Sequence, residues 1–152
     1  MPADERLGFD IKRAEQALMA AKAAALRPAE LTVAQYAALF ALADNPGMSG
    51  AALARACLVT PQAMTGVLKA LEDRGLVRRS PHPWHRHVLE TSLTEKGRAT
   101  LLRCDREAVR IERRIADALS PAERRQLRDL LARCVEAIHD SGQPEAGRRA
   151  GG

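Results

Sequence analysis

The stretch from Ser49 to Arg79, SGAALARACLVTPQAMTGVLKALEDRGLVRR, leaves this chain few folds to choose from. Ser49 is a candidate N-cap for a short helix that carries Leu53 and runs out near Cys57. Leu58-Val59 leaves room only for a tight turn. Thr60 is a second N-cap, and Pro61 takes the first helical position, where its missing N–H costs nothing. Val67, Leu68 and Leu71 give this second helix an apolar face, and Gly75 supplies a left-handed stop. Two short helices joined by so small a turn make a helix-turn-helix. After Gly75, LVRRS and HVLETSL are β-prone runs separated by the Pro- and His-rich PHPWHRH, which predicts a hairpin with a long tip. A helix-turn-helix followed at once by such a hairpin is a winged helix.

The flanks read as helices. Over 8–26, Phe9, Ala14, Leu18, Ala21 and Ala25 form one apolar stripe, and Pro28 ends it. Thr32 and Gln35 make a capping box. Val33, Tyr36, Leu39, Phe40 and Leu42 then mark a buried helix, stopped by Asn45-Pro46-Gly47. Thr94 caps a long helix in which Leu101, Cys104, Ala108, Ile111, Ile115 and Ala118 alternate steps of three and four, a coiled-coil-like seam. Ser120-Pro121-Ala122-Glu123 starts another, with Leu127, Leu131, Cys134 and Ile138 on one side. Such helices span about 33 Å, too long to bury inside so small a domain, and their seams predict a homodimer. The tail SGQPEAGRRAGG is small and polar and is expected to be disordered. The fold class is mainly α with a small β-hairpin: a winged helix-turn-helix plus long dimerisation helices.

Charge narrows the function. Between Arg55 and Arg103 nine basic residues face four acidic ones, so this window alone matches the net charge of +5 carried by the whole chain. Positive charge concentrated on the middle of the chain is the footprint of a nucleic-acid binder. In a helix-turn-helix the second helix enters the major groove with its first turn facing the base edges. That predicts double-stranded DNA as partner. The candidate contacts are Ser49, Thr60, Pro61, Gln62, Ala63, Thr65, Gly66, Lys69, Arg74 and Arg78, joined on the wing by His85, Arg86 and His87. Gln62 suits an adenine edge, the hydroxyls of Thr60 and Thr65 suit phosphate oxygens, and Ala63 and Gly66 permit close approach. Arg86 at the wing tip can enter a minor groove or clamp a phosphate, with His85 and His87 as donors beside it.

Other classes fit less well. His82, His85 and His87, in H-x-x-H-x-H spacing, could offer imidazoles to a metal ion, and this is the alternative reading. A closed site wants four ligands, however, and no carboxylate or cysteine follows until Glu90. No GxSxG, HExxH, GxGxxG or P-loop lysine points to an enzyme or a cofactor cradle. Cys57, Cys104 and Cys134 are far apart with no CxxC, which argues against a disulfide framework or a zinc ribbon. No run approaches the roughly 20 apolar residues of a membrane span, and the acidic opening MPADERLGFD is unlike a signal peptide. A cytoplasmic, nucleoid-associated protein is expected.

Residues 10–140 resemble the MarR family of bacterial transcription regulators. The resemblance is carried by VTPQAMTGVLKALEDRGLVRR for the reading helix and first wing strand, and by LTEKG where the wing gives way to the long helix. It implies a homodimer whose first and last helices form the interface and whose two winged helices meet a palindromic operator. It also implies a repressor released by a small aromatic or phenolic effector; residues that bind the effector are left unassigned, and no other cofactor is expected. The layout becomes an N-terminal dimerisation helix (8–27), a winged helix-turn-helix (31–97), C-terminal dimerisation helices (98–140) and a tail (141–152), with 8–140 as one MarR-type domain. The wing departs from the family pattern. The usual Asp-x-Arg, counted back from Leu93, falls on His85 and His87, with Arg86 between them. Peroxide-sensing members carry a cysteine in or near the first helix, and this chain has none there.

Overall fold

The computed structural model describes residues 1–2 and 5–140. Its elements run α1 (Leu7–Leu26), a 3-10 turn (Arg27–Ala29), α2 (Val33–Asp44), β1 (Met48–Ser49), α3 (Gly50–Ala56), α4 (Pro61–Asp73), β2 (Val77–Pro81), β3 (Leu89–Leu93), α5 (Glu95–Asp117) and α6 (Pro121–Asp140). Two compact units result, residues 1–111 and residues 112 onward, and α5 runs from the first into the second. The tail at 141–152, expected to be disordered, lies outside the described residues.

Helices α2 to α6 begin where capping side chains stand. Thr32 Oγ1 accepts from the Gln35 N–H at 3.1 Å while Gln35 Oε1 accepts from the Thr32 N–H at 3.0 Å, closing the capping box. Ser49 Oγ accepts from Ala52 N–H, Thr60 Oγ1 from Ala63 N–H and Thr94 Oγ1 from Gly97 N–H, at 3.0–3.2 Å. In the second unit Ser120 and Glu123 exchange the same reciprocal pair, and these bonds to Ser120 draw the pKa of Glu123 down. Each such cap contributes about 1 kcal/mol to its helix. Gly75 turns the chain at φ +67°, as a stop after α4 requires.

The first unit closes around Leu26 of α1, Leu39 and Leu42 of α2, Leu53 of α3, Met64, Leu68 and Leu71 of α4, and Leu76, all essentially without solvent contact. Met64 completes the inner face of α4, while Val67 is only partly buried. The expected hairpin forms with Val77 opposite Leu93, Arg79 opposite Thr91 and Pro81 opposite Leu89. A strand that the sequence did not announce joins it: β1 pairs Met48 with Thr91 and Ser49 with Glu90, so the sheet has the order β1-β3-β2. Two residues are too few to show an alternating pattern, and their pairing partner lies more than forty positions away.

One apolar expectation is corrected, and two apolar faces are covered over only part of their length. Phe40 is 49% exposed rather than buried, its ring tilted against Tyr36 at 6.1 Å. Phe9 is exposed too, and the α1 stripe packs only towards its end, where Leu26 is buried. The α5 seam is divided. Leu101, Cys104 and Ala108 are buried in the first unit, Ile115 is 42% exposed, and Ala118 falls past the end of the helix. A heptad pattern reports which side chains share a face, not which partner covers each part of it. The packing divides at residue 111, within α5.

The base of the wing is knotted to both its neighbours. Thr94 Oγ1 donates to Gly75 O at 2.7 Å, Thr94 N–H donates to Leu76 O at 3.1 Å, and Lys96 Nζ donates to Arg74 O at 2.7 Å. A Cβ at Gly97 would run into the backbone carbonyl of Leu76, so only glycine lets α5 start this close to the strand. No single helix among the described residues is long and apolar enough to cross a membrane.

Candidate nucleic-acid interface

Helices α3 and α4 turn by 109° across the Cys57–Thr60 connection, within the range of a helix-turn-helix. The connection is short because Leu58 adopts a left-handed conformation, φ +55°, and Val59 N–H reaches back to Ala54 O at 3.0 Å. Helix α4 then presents two faces. Met64, Leu68 and Leu71 point into the core, while Gln62, Ala63, Thr65, Gly66 and Lys69 stand exposed. Positions 62, 66 and 69 follow at helical spacing and share one side. A Cβ added at Gly66 would meet nothing within 4 Å, so glycine there leaves a low spot on an open surface.

Hydroxyl bookkeeping separates the candidates. Ser49 and Thr60 accept a backbone N–H through oxygen, which leaves each O–H hydrogen free to donate to a phosphate. Thr65 differs, because its hydroxyl already donates to Pro61 O at 3.0 Å. Thr60 and Pro61 also mark the positive end of the α4 dipole, which favours an anion there. Lys69 Nζ lies 2.8 Å from Asp73 Oδ2. The hydrogen bond and charge of Asp73 push the Lys69 pKa up, so Lys69 is cationic and a phosphate competes with Asp73 for it.

Arg74 was expected beside these residues, and the structure commits it elsewhere. Its guanidinium donates to Glu30 O at 2.6 Å and to Ala29 O at 3.0 Å, bracing the turn after α1. Carbonyls at a helix end lack intrahelical partners, and a two-pronged donor satisfies them. Arg78 is exposed on β2. At the wing tip His85, Arg86 and His87 are all exposed.

The wing histidines do not gather around one point. His82 Nδ1 accepts the backbone N–H groups of Trp84 and His85, each at 3.1 Å, and its Nε2 faces Glu90 Oε1 at 3.4 Å. His82 thus builds the turn. Among the described residues no three His, Cys, Asp or Glu side chains are placed to hold a metal ion, so the metal reading of His82, His85 and His87 finds no support.

A second feature escaped the sequence. A cleft of about 220 Å³ is lined by Ala25, Pro28 and Ala29 on one side and by Arg103, Cys104 and Glu107 of α5 on the other. Nothing in the local pattern marks it, since it joins segments about eighty residues apart. Burial pushes the Cys104 thiol pKa up, against a smaller opposing effect of Arg103 and Arg74, and burial raises Cys57 as well. Both thiols are therefore protonated, weak nucleophiles at neutral pH.

Comparison with known proteins places this arrangement. Residues 29–86 match a family model described as the MarR family. HTH-type transcriptional repressor Rv2887 of Mycobacterium tuberculosis is 35% identical over 128 residues, covering 84% of this chain and 92% of that protein. A structure of the same protein with p-aminosalicylic acid superposes with TM-score 0.66, at 34% identity over 85% of this chain and 98% of that one. The transcriptional repressor CouR bound to a 23-mer DNA duplex superposes with TM-score 0.78, at 34% identity over 87% of this chain and 94% of that one. BpsR of Bordetella bronchiseptica, whose DNA binding is regulated by 6-hydroxynicotinic acid, gives TM-score 0.81 at 28% identity, covering 89% and 96%.

Proposed function

This chain belongs to the MarR family, and on that premise we propose that it is a homodimeric, sequence-specific DNA-binding repressor released by a small aromatic acid. It is a regulator and not an enzyme. The observation that carries the reading is the two-sided α4. A helix whose inner face is sealed by Met64, Leu68 and Leu71 holds out Gln62, Ala63, Gly66 and Lys69 with no apolar bulk between them. Thr60, Pro61, Gln62, Ala63, Thr65, Gly66 and Lys69 form the reading surface, Ser49 contacts phosphate from the start of α3, and Arg78, His85, Arg86 and His87 belong to the wing. Arg74 is left out as a brace.

Two copies are needed for a palindromic operator, with reading helices about one helical turn of DNA apart. Leu7 and Phe9 at the start of α1, and Leu130, Val135 and Ile138 on α6, are large apolar side chains left exposed, and we assign them to the interface with a second copy. Residues 8–27 and 98–140 thus serve dimerisation, and 31–97 serve DNA. The protein acts in the cytoplasm, on the nucleoid.

The Arg103 cleft suits a single-ring acid: its volume is small, its walls at Ala25, Pro28 and Ala29 are apolar, and one guanidinium is present to pair with a carboxylate. The aromatic acid in complex with Rv2887 and the one that regulates DNA binding by BpsR are of this class.

The test is a gel shift on DNA upstream of the protein's own gene, with and without salicylate-like acids. A specific shift that such an acid reverses supports the reading, and Arg103→Ala should shift DNA while losing the release. No shift above nonspecific competitor would sink it.

A further inference from the structure

Trp84 is the chain's only tryptophan, and it stands 86% exposed at the wing tip. A large planar side chain left in water by a chain so poor in aromatics needs a reason. The backbone that carries it is not a slack loop. Trp84 N–H and His85 N–H both donate to His82 Nδ1 at 3.1 Å, His82 N–H donates to Val88 O at 2.8 Å, and Val88 N–H donates to His85 O at 2.8 Å. Pro81 and Pro83 stiffen the approach on either side of His82. The turn is thus built around one imidazole acceptor, and the indole is held out by it.

The surroundings say what the indole meets. No acidic residue occurs from Pro81 to Leu89, and the one at Glu90 faces His82. Arg86 shares the tip and, with Pro81, His82 and Pro83, lines an open cleft of about 370 Å³. A planar apolar ring beside the Arg86 cation fits a surface that is anionic at its rim and apolar within, which describes the sugar-lined minor groove of a duplex.

We propose that Trp84 is a DNA contact of the wing, its ring lying against deoxyribose in the minor groove and its Nε1–H donating to the A·T acceptors there. This rests on the DNA-binding reading above. The minor groove offers only adenine N3 and thymine O2 acceptors at A·T pairs, whereas guanine N2 adds a donor that opposes an indole N–H. Trp84 therefore contributes preference for A·T pairs in the sequence flanking the major-groove contacts.

Because Trp84 is the sole tryptophan, its emission reports this residue alone. The experiment titrates the full chain with the shortest upstream duplex that it shifts in a gel, recording emission and gel affinity together. Quenching of the emission in step with the shift is expected. Trp84→Ala should loosen binding roughly tenfold without changing the salt slope, since no ion pair is lost. Trp84→Phe should recover part of the affinity but not the preference for A·T over G·C flanks. Unchanged emission on a duplex that the gel shows to be bound would overturn the assignment and leave the DNA-binding reading standing. Absence of any specific shift would overturn both. Anionic phosphatidylglycerol vesicles serve as the other arm: emission that responds to them and not to the duplex overturns the proposal in favour of a membrane contact.

Discussion

The phenol of Tyr36 donates to Asp105 Oδ1 at 2.8 Å, tying α2 to the middle of α5 across 69 positions of sequence. This partly buried bond is a long-range polar link between α2, ahead of the helix-turn-helix, and the long helix behind it. Tyr36→Phe should lower stability by about 1–2 kcal/mol, read as a shift in the denaturant midpoint at unchanged slope. A midpoint equal to that of the unsubstituted protein would show that the bond contributes nothing.

Glycines at 75 and 97 are needed for different reasons, and the two costs should separate. Gly75→Ala forces a Cβ into a left-handed residue with open space around it, at about 1 kcal/mol. Gly97→Ala drives a Cβ into the Leu76 carbonyl, which no rotamer change relieves, and should cost at least about 2 kcal/mol. Thermal melts of the two variants, side by side, check the order.

Arginines 74 and 86 are predicted to part company. Arg74→Ala strips two donors from Glu30 O and Ala29 O and should reduce stability by about 1–3 kcal/mol while leaving the salt dependence of DNA binding intact. Arg86→Ala should leave stability alone and lower the slope of log affinity against log salt by about one. Equal slopes for Arg86→Ala and the parent would remove Arg86 from the interface.

One buried and one half-buried thiol set a sign at alkaline pH. The pKa values of Cys57 and Cys104 are raised by desolvation in the folded state, so the folded protein favours the protonated thiol. Their contribution to stability is complete below the unfolded thiol pKa, about 8.5, and is lost as pH rises through the folded values. A Cys57→Ala/Cys104→Ala double variant should show a shallower fall in melting temperature between about pH 8 and pH 10. Iodoacetamide at about pH 8 should label both thiols more slowly in the native than in the denatured chain.

Local signals were the legible part of this fold. Thr32 with Gln35, Ser49, Thr60 before Pro61, Gly75, Thr94 and Ser120 with Glu123 are each decided within three or four residues, and each stands where its spacing places it. What the sequence withheld is whatever depends on distant partners. Arg74 is one more basic residue near a reading helix until Glu30 O arrives from 44 positions away. Phe40 lies on a helix apolar on nearly every side, where period alone cannot say which aromatic is left out. Spacing allows His82 a metal ligand's part only as an alternative, and its use as a backbone acceptor depends on a turn geometry that no spacing rule encodes.

The Thr94 knot has a mechanical consequence. With Gly75 O, Leu76 O and Arg74 O all held by Thr94 and Lys96, the end of α4 and the root of the hairpin are bolted to the first turn of α5. A tilt of that shaft swings both claws together.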